Sequence, residues 1–275
     1  EAGTAVTASG IALAAGAGVA EVPVHRVVRV GVLATGDEVR PAGVPLGAAG
    51  IPDANGPGLR ALVTAAGGQA IDLGIARDEL GDVERRLRSA LGAGADLILV
   101  SGGVSVGPYD VVKAAFESIG RIELWRVAVQ PGKPFTFGTA ERPDGGGAPV
   151  LLFGLPGNPV SSFVTFELFV RPTLRRLSGR RRLLRPVDRA ILGDGVSKSA
   201  GRRAFVRVIA ERDPDGAPLR DPAGRVRVRL AGGQAGQGSH VLSALAIADA
   251  LAIIPETDDS LPQGAEVALW WLDGD

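Results

Sequence analysis

The sequence predicts an α/β protein: a mostly parallel three-layer α/β/α domain followed by a small all-β domain. Three observations carry this. Apolar β-rich runs alternate with segments whose apolar residues recur at helical spacing. Glycine-rich turns follow several of those runs. After Ser178–Pro186 the pattern changes to short β-like runs without intervening long helices.

The first element is Val27 to Thr35, a buried-strand pattern that delivers Gly36-Asp37-Glu38 to a sheet edge. A Pro/Gly-rich loop leads to Leu59, Leu62, Val63 and Ala66 at helical spacing, stopped by Gly67-Gly68 before a strand at Ala70 to Leu73. Val83, Leu87, Ala90 and Leu91 mark an amphipathic helix. The strand Asp96 to Val100 follows, ending in Ser101-Gly102-Gly103. A helix near Tyr109 to Ile119 precedes a strand at Ile122 to Val129, and Pro131-Gly132-Lys133-Pro134 separates that from Phe135 to Gly138. The last strand of the unit, Val150 to Phe153, enters Gly154-Leu155-Pro156-Gly157-Asn158-Pro159 and a long helix over about Val160 to Leu177. Beyond it, Ala204 to Ala210, Arg225 to Leu230 and Ala265 to Trp271 read as strands. The expected division is 1–26 as the tail of an N-terminal domain and linker, 27–180 as the α/β domain, and 181–275 as a small β-barrel-like domain.

Composition narrows the partners. Thirty basic and thirty acidic side chains cancel over 275 residues, so bulk charge favours neither nucleic acid nor an anionic membrane. Without cysteine there is no disulfide, thiolate zinc site or cysteine nucleophile. Apolar stretches fall short of the roughly 20 residues a membrane helix needs, and Ile11 to Ala20 lacks the basic flank of a signal peptide, so a cytoplasmic location is expected. Methionine is absent even at position 1, which leads to the expectation that Glu1 is not the natural start.

Parallel α/β sheets bind ligands outside the carboxyl ends of their strands, where the glycine-rich turns are predicted to lie. Ser101-Gly102-Gly103-Val104-Ser105 offers open backbone N–H groups and two hydroxyls to a phosphate, although the same glycines would serve a plain strand-to-helix turn. Pro131-Gly132-Lys133 adds one of only three lysines, suited to an oxyanion or to solvent. In Pro156-Gly157-Asn158, Asn158 or the following Ser161 could cap the helix or bind ligand. Three such turns in one domain favour an anion site. The carboxylates Asp37, Glu38, Asp53, Asp78 and Asp110 fall in loops near it. Carboxylates beside a phosphate imply a divalent metal, magnesium by choice, with Asp37, Glu38 and Asp110 the stronger ligands and Asp53 and Asp78 fitting helix caps or surface charges better. His25 and His240 do not form a zinc site or triad. No nucleophile elbow, P-loop or dinucleotide fingerprint occurs. Arg202, Arg203 and Arg207 read as a solvated strand face from which one could reach the ligand.

In order, Thr35-Gly36-Asp37-Glu38, Ser101-Gly102-Gly103-Val104-Ser105-Val106-Gly107, Asp110, Pro131-Gly132-Lys133-Pro134 and Gly154-Leu155-Pro156-Gly157-Asn158-Pro159-Val160-Ser161 resemble the MoeA family of molybdopterin molybdenumtransferases, which includes the E domain of gephyrin. Gly201-Arg202, Phe205, Arg207 and Gly238-Ser239-His240 extend the resemblance into the second domain. It implies that adenylylated molybdopterin and molybdate react, with magnesium, to give molybdenum cofactor and AMP. In that setting Asp37, Glu38, Asp110 and Lys133 would be catalytic, with the same three carboxylates on metal. Thr35, Gly36, Asp78, Ser101, Gly102, Gly103, Ser105, Pro131, Gly132, Pro156, Gly157, Asn158 and Ser161 would bind the molybdopterin substrate. The implied partners are a second copy of the full-length protein, molybdopterin adenylyltransferase and apo-molybdoenzymes. Two features depart from the family. Gln130 stands where many relatives carry a second lysine. The chain also begins at the tail of the family's N-terminal domains, so it is expected to be catalytically incomplete by itself. A molybdopterin adenylyltransferase on the same fold and a gephyrin-like scaffold are the competing readings.

Overall fold

The computed structural model describes residues 2–103 and 110–273, with the side chain of Trp125 left aside. Helix α1 (Ala8–Gly16), capped by the Thr7 hydroxyl, buries none of its residues. Then come β1 (Arg29–Thr35), the short β2 (Val39–Arg40) and β3 (Ile51–Pro52), α2 (Asn55–Ala65), β4 (Gln69–Ala76), α3 (Leu80–Gly92) and β5 (Leu97–Ser101). Next are α4 (Val111–Ile119), β6 (Gly120–Trp125), β7 (Val129–Gln130), β8 (Thr136–Ala140) and β9 (Val150–Leu155).

Six of these strands form one sheet in the order β4-β1-β5-β9-β8-β6. The first four run parallel, while β8 lies antiparallel to both β9 and β6. Period-two alternation builds the three layers. Val30, Val32, Leu97 and Leu99 face α2 (Leu59, Val63) and the later residues Phe166, Val170 and Leu174. Leu33, Ile98 and Val100 face α3 (Val83, Leu87, Ala90) and α4 (Val112, Ala115, Phe116).

The long helix expected over Val160–Leu177 is α5 (Pro159–Thr165), a π-helical turn (Phe166–Val170) and α6 (Arg171–Leu177). Pro172 is the cause: it has no N–H for Leu168 O and its ring crowds that turn, so the helix widens just before it.

The second half contains β10 (Val187–Leu192), β11 (Val196–Ser197), β12 (Arg203–Ala210), β13 (Val226–Leu230), a 3₁₀ turn (Ala235–Gln237), α7 (Leu242–Ala246), β14 (Ala250–Ile254), β15 (Ser260–Leu261) and β16 (Glu266–Trp271). The order β13-β10-β16-β14-β12 closes through β12–β13 into a five-stranded barrel. Its interior is small and β-branched, with Leu192, Val206, Val208, Val226, Val228, Ala252 and Leu269. The α/β fold with a β-rich C-terminal domain is therefore as expected from sequence.

One expected strand breaks. Ile122–Val129 was continuous in the sequence pattern, but Arg126 adopts a left-handed φ of 82° and ends β6. Val129–Gln130 then leaves the first sheet and pairs in parallel with Arg203–Ala204 of the barrel. Val160 and Val164 of α5 complete the junction by packing on Phe205 and Leu251. Among the described residues no helix is long and apolar enough to cross a membrane.

Candidate anion site at the sheet edge

The strand-end turns of β1, β5 and β9 meet. β1 and β9 both flank β5, so sheet register alone brings Thr35-Gly36, Gly102-Gly103 and Pro156-Gly157 side by side. The approach is too close for side chains. A Cβ at Gly102 would stand 2.5 Å from Thr35 O and 2.8 Å from Thr35 Oγ1, and one at Gly103 would stand 2.9 Å from Thr35 Oγ1. Both glycines have positive φ, 95° and 63°, a conformation that costs other residues strain. Gly157 lies against Gly102, with its Cβ position 3.6 Å from Gly102 Cα.

Thr35 is 5% exposed, and its buried hydroxyl has no hydrogen-bond partner among the described residues. A buried hydroxyl left unmatched is unfavourable. An oxyanion seated at Gly102-Gly103 would supply its acceptor.

The carboxylates gather on one flank. Asp37 and Glu38 are exposed after β1, and Asp37 Oδ1 accepts the Asp78 N–H at 3.2 Å. Asp78 Oδ1 is 3.9 Å from the Gly103 Cβ position. Partial burial, with the negative charges of Asp37 and Glu38 beside it, raises the Asp78 carboxyl above its ordinary value, against a hydrogen bond from the Asp37 backbone that lowers it. Asp110 is 6% exposed and caps α4, its Oδ1 accepting the Lys113 N–H at 2.8 Å. Asp53 Oδ1 accepts the Gly56 N–H at 2.8 Å at the start of α2, a capping role. Among the described residues no group of three or more His, Cys, Asp or Glu is assembled as a metal cage.

The hydroxyls divide by environment. Ser101 is 1% exposed and faces inward, its Oγ lying 3.3 Å from Pro156 O and 3.1 Å from Ser162 Oγ. Ser105 lies outside the described residues. Ser161 is buried in the first turn of α5. The third turn packs on the same helix. Gly132, with φ 122°, has its Cβ position 2.7 Å from Thr165 Cγ2 and 3.8 Å from Ser161 O. Lys133 beside it is exposed. Gln130 Oε1 accepts the Ser199 N–H at 3.3 Å, so that side chain turns to the barrel.

Sequence reasoning missed the residues that hold these turns from outside. Asn55 Nδ2 donates to Gly157 O at 2.7 Å. Asn158 Nδ2 donates to Ser239 Oγ at 2.9 Å, and Val160 N–H donates to Ser239 O at 3.2 Å. Asn158 thus starts α5 without a side-chain cap of its own. The only local signal for Asn55 was its place in the glycine-rich start of α2. The solvated arginine face divides as well: Arg203 pairs with Glu256 at the surface, but Arg207, on the outer face of β12 beside Phe205, is 1% exposed beneath the loop at Gly236 and Gly238. The inward residues of β12 are Ala204, Val206, Val208 and Ala210, and the loop around Gln237 covers Arg207 on the opposite face.

A groove of about 920 Å3 adjoins the turns at Gly36, Asp37, Ala76 and Arg77 and runs toward the β4 edge past Arg40, Arg60, Asp72 and Arg86. It offers both charge signs and room for a ligand larger than a phosphate.

Comparison with known proteins gives a consistent picture. Residues 31–176 match the family described as probable molybdopterin binding domain, and residues 189–272 match the MoeA C-terminal region, domain IV. Molybdopterin molybdenumtransferase of Haemophilus influenzae is 34% identical over 98% of this chain and 62% of its own length. Molybdopterin molybdenumtransferase 2 of Mycobacterium tuberculosis is 36% identical over 98% of this chain and 63% of its own. The solved structure of a molybdopterin biosynthesis MoeA protein from Pyrococcus horikoshii superposes with a TM-score of 0.77 at 29% identity, covering 100% of this chain and 62% of that one. The chain therefore spans a little under two thirds of the length of these relatives.

Proposed function

The chain belongs to the MoeA family, a molybdopterin-binding domain followed by the MoeA C-terminal region, and from that premise we propose that it inserts molybdate into adenylylated molybdopterin, giving molybdenum cofactor and AMP. The observation that carries the reading is the buried Thr35 hydroxyl, without a partner among the described residues, facing Gly102-Gly103 where the turns after β1, β5 and β9 meet. That pocket of donors suits a phosphate oxygen of the pyrophosphate link.

The residues then take separate tasks. Thr35, Gly36, Gly102, Gly103, Gly157 and Asn158 hold the substrate phosphates with backbone and side-chain donors, while Ser101 keeps the β5 and β9 turns together from inside. Lys133, exposed above α5, neutralises an oxyanion as a point charge. Asp37, Glu38 and Asp78 are hard oxygen donors on one side of the turns. They suit magnesium held mainly by substrate phosphates and water with one or two carboxylates, rather than an all-protein cage. A cation there would also offset the partial burial and neighbouring negative charge that raise the Asp78 carboxyl. Bound magnesium supplies charge neutralisation. Asp110, nearly buried after the second turn, orients the start of α4 and is the fourth proposed metal-side carboxylate. The groove beside Asp37 is the place for the bulkier part of the substrate. The same reading carries a homodimer for the full-length protein, a cytoplasmic location, and molybdopterin adenylyltransferase and apo-molybdoenzymes as partners.

The test is incubation with adenylylated molybdopterin, molybdate and magnesium, scoring AMP release and cofactor transfer to an apo-molybdoenzyme. This chain and a protein of the relatives' full length are compared. The expected result is substrate binding by both, with turnover by the longer protein. Adenylylation of molybdopterin from ATP without molybdate would replace this reading with an adenylyltransferase.

A further inference from the structure

Arg207 is a buried cation for which the site described above has no use. It lies in β12, 1% exposed, and desolvation lowers its guanidinium to about 10. Among the described residues its side-chain partners are backbone carbonyls rather than carboxylates, and its Nε has no acceptor. A buried guanidinium without a counter-charge is unfavourable unless its donors do something specific.

They organise one loop. Arg207 Nη2 donates to Gly236 O at 2.8 Å and Gly238 O at 3.2 Å. The Arg207 N–H donates to Gln237 Oε1 at 3.0 Å, and Gln237 Nε2 returns bonds to Arg207 O and Ala231 O, both at 3.1 Å. A Cβ at Gly236 would stand 2.2 Å from Ala231 O, so the loop folds back on its own start too closely for a side chain. The loop delivers Ser239 to the first turn of α5. Pro159 has no N–H there, and the Val160 N–H, the first available donor of the helix, is taken by Ser239 O. The Ser239 hydroxyl accepts from Asn158 Nδ2.

We propose that Arg207 is a positioning residue for the anion-binding turn: by holding Gly236 and Gly238 it sets Ser239, which orients the Asn158 amide and closes the Val160 N–H to ligand. The barrel thereby finishes a site whose Gly102, Gly103 and Gly157 lie in turns of the other sheet. This rests on the reading of that turn as phosphate-binding.

The test uses Arg207→Lys, which keeps a cation but loses the planar fork, and Ser239→Ala, which removes only a hydroxyl. Amide hydrogen exchange at Val160 is measured together with affinity for inorganic pyrophosphate. In Arg207→Lys, Val160 exchange should rise about tenfold while β10 and β16 keep their protection, and pyrophosphate should bind roughly 3- to 10-fold more weakly. Ser239→Ala should weaken pyrophosphate similarly with Val160 exchange unchanged, since the carbonyl remains. Wild-type exchange at Val160 in folded Arg207→Lys overturns the proposal. If Arg207→Lys does not fold, wild-type pyrophosphate affinity in Ser239→Ala overturns it. If the unaltered chain binds no pyrophosphate, the phosphate reading fails, while the exchange measurement still decides the role of Arg207.

Discussion

The side-chain amide of Asn55 donates to the carbonyl of Gly157 at 2.7 Å, a contact between residues 102 apart in the chain. It ties the first turn of α2 to the turn after β9, while Gly102 presses on Thr35 from the other side. Gly157 and Gly102 are thus held by protein contacts before any ligand arrives, so binding need not order these two positions.

Asn55→Ala should therefore weaken binding of adenylylated molybdopterin by up to about tenfold, the worth of one hydrogen bond, with at most about 1 kcal/mol lost from stability. Calorimetric titration and urea denaturation check the two numbers. An equal loss in both would mean that Asn55 serves the fold rather than the turn.

Gly102→Ala should cost about 1–3 kcal/mol through its left-handed backbone and should also abolish substrate binding, because the new Cβ falls 2.5 Å from Thr35 O. Denaturation with a binding assay on the folded fraction measures this. Wild-type affinity in that fraction would remove the β5 turn from the site.

Lys133→Ala should leave the melting curve within about 0.5 kcal/mol of wild type, as for an exposed side chain, yet reduce substrate affinity. Its affinity should also fall less steeply with added salt, because one screened charge contact is gone. Parallel salt dependences in the two proteins would take Lys133 out of the site.

Asp96 predicts an acid response. Burial pushes its carboxyl up, but hydrogen bonds from Arg26, the Arg29 backbone and Arg142 outweigh this and hold it at about 2, below the ordinary 3.8. The stabilisation from this lowered pKa is present above pH 3.8 and is lost as pH falls through 2. Asp96→Asn should be less stable than wild type at pH 6, with the gap closing toward pH 2. Denaturation midpoints between those values give the curve. A gap independent of pH would show that the charge on Asp96 does not matter.

Glu167→Gln should destabilise the protein by about 3 kcal/mol, since it removes the charge from a buried cluster. Glu167 is 2% exposed and receives both Nε and Nη2 of Arg185, at 3.0 and 3.1 Å. Thermal melting measures the loss, and substrate affinity of the folded variant should be unchanged.

Much of this molecule was legible in the residues themselves. The βαβ alternation shows because side-chain periods of 2.0 and 3.6 are local properties, and the two faces of β1 and β5 packed against helices as the period required. The glycine turns were legible for a similar reason: positive φ at Gly102, Gly103 and Gly132 is a demand of the local backbone that glycine alone meets without strain. Tertiary structure decided the rest. Nothing near Ser101 in sequence says that its hydroxyl turns inward to Pro156 and Ser162, or that Val129-Gln130 crosses to the barrel once Arg126 turns the chain. Nor does anything near Asn158 name Ser239, 81 positions away, as its partner. Local sequence sets which donors a turn can offer; only the packing of distant segments settles which of them are already spent and which remain for a ligand.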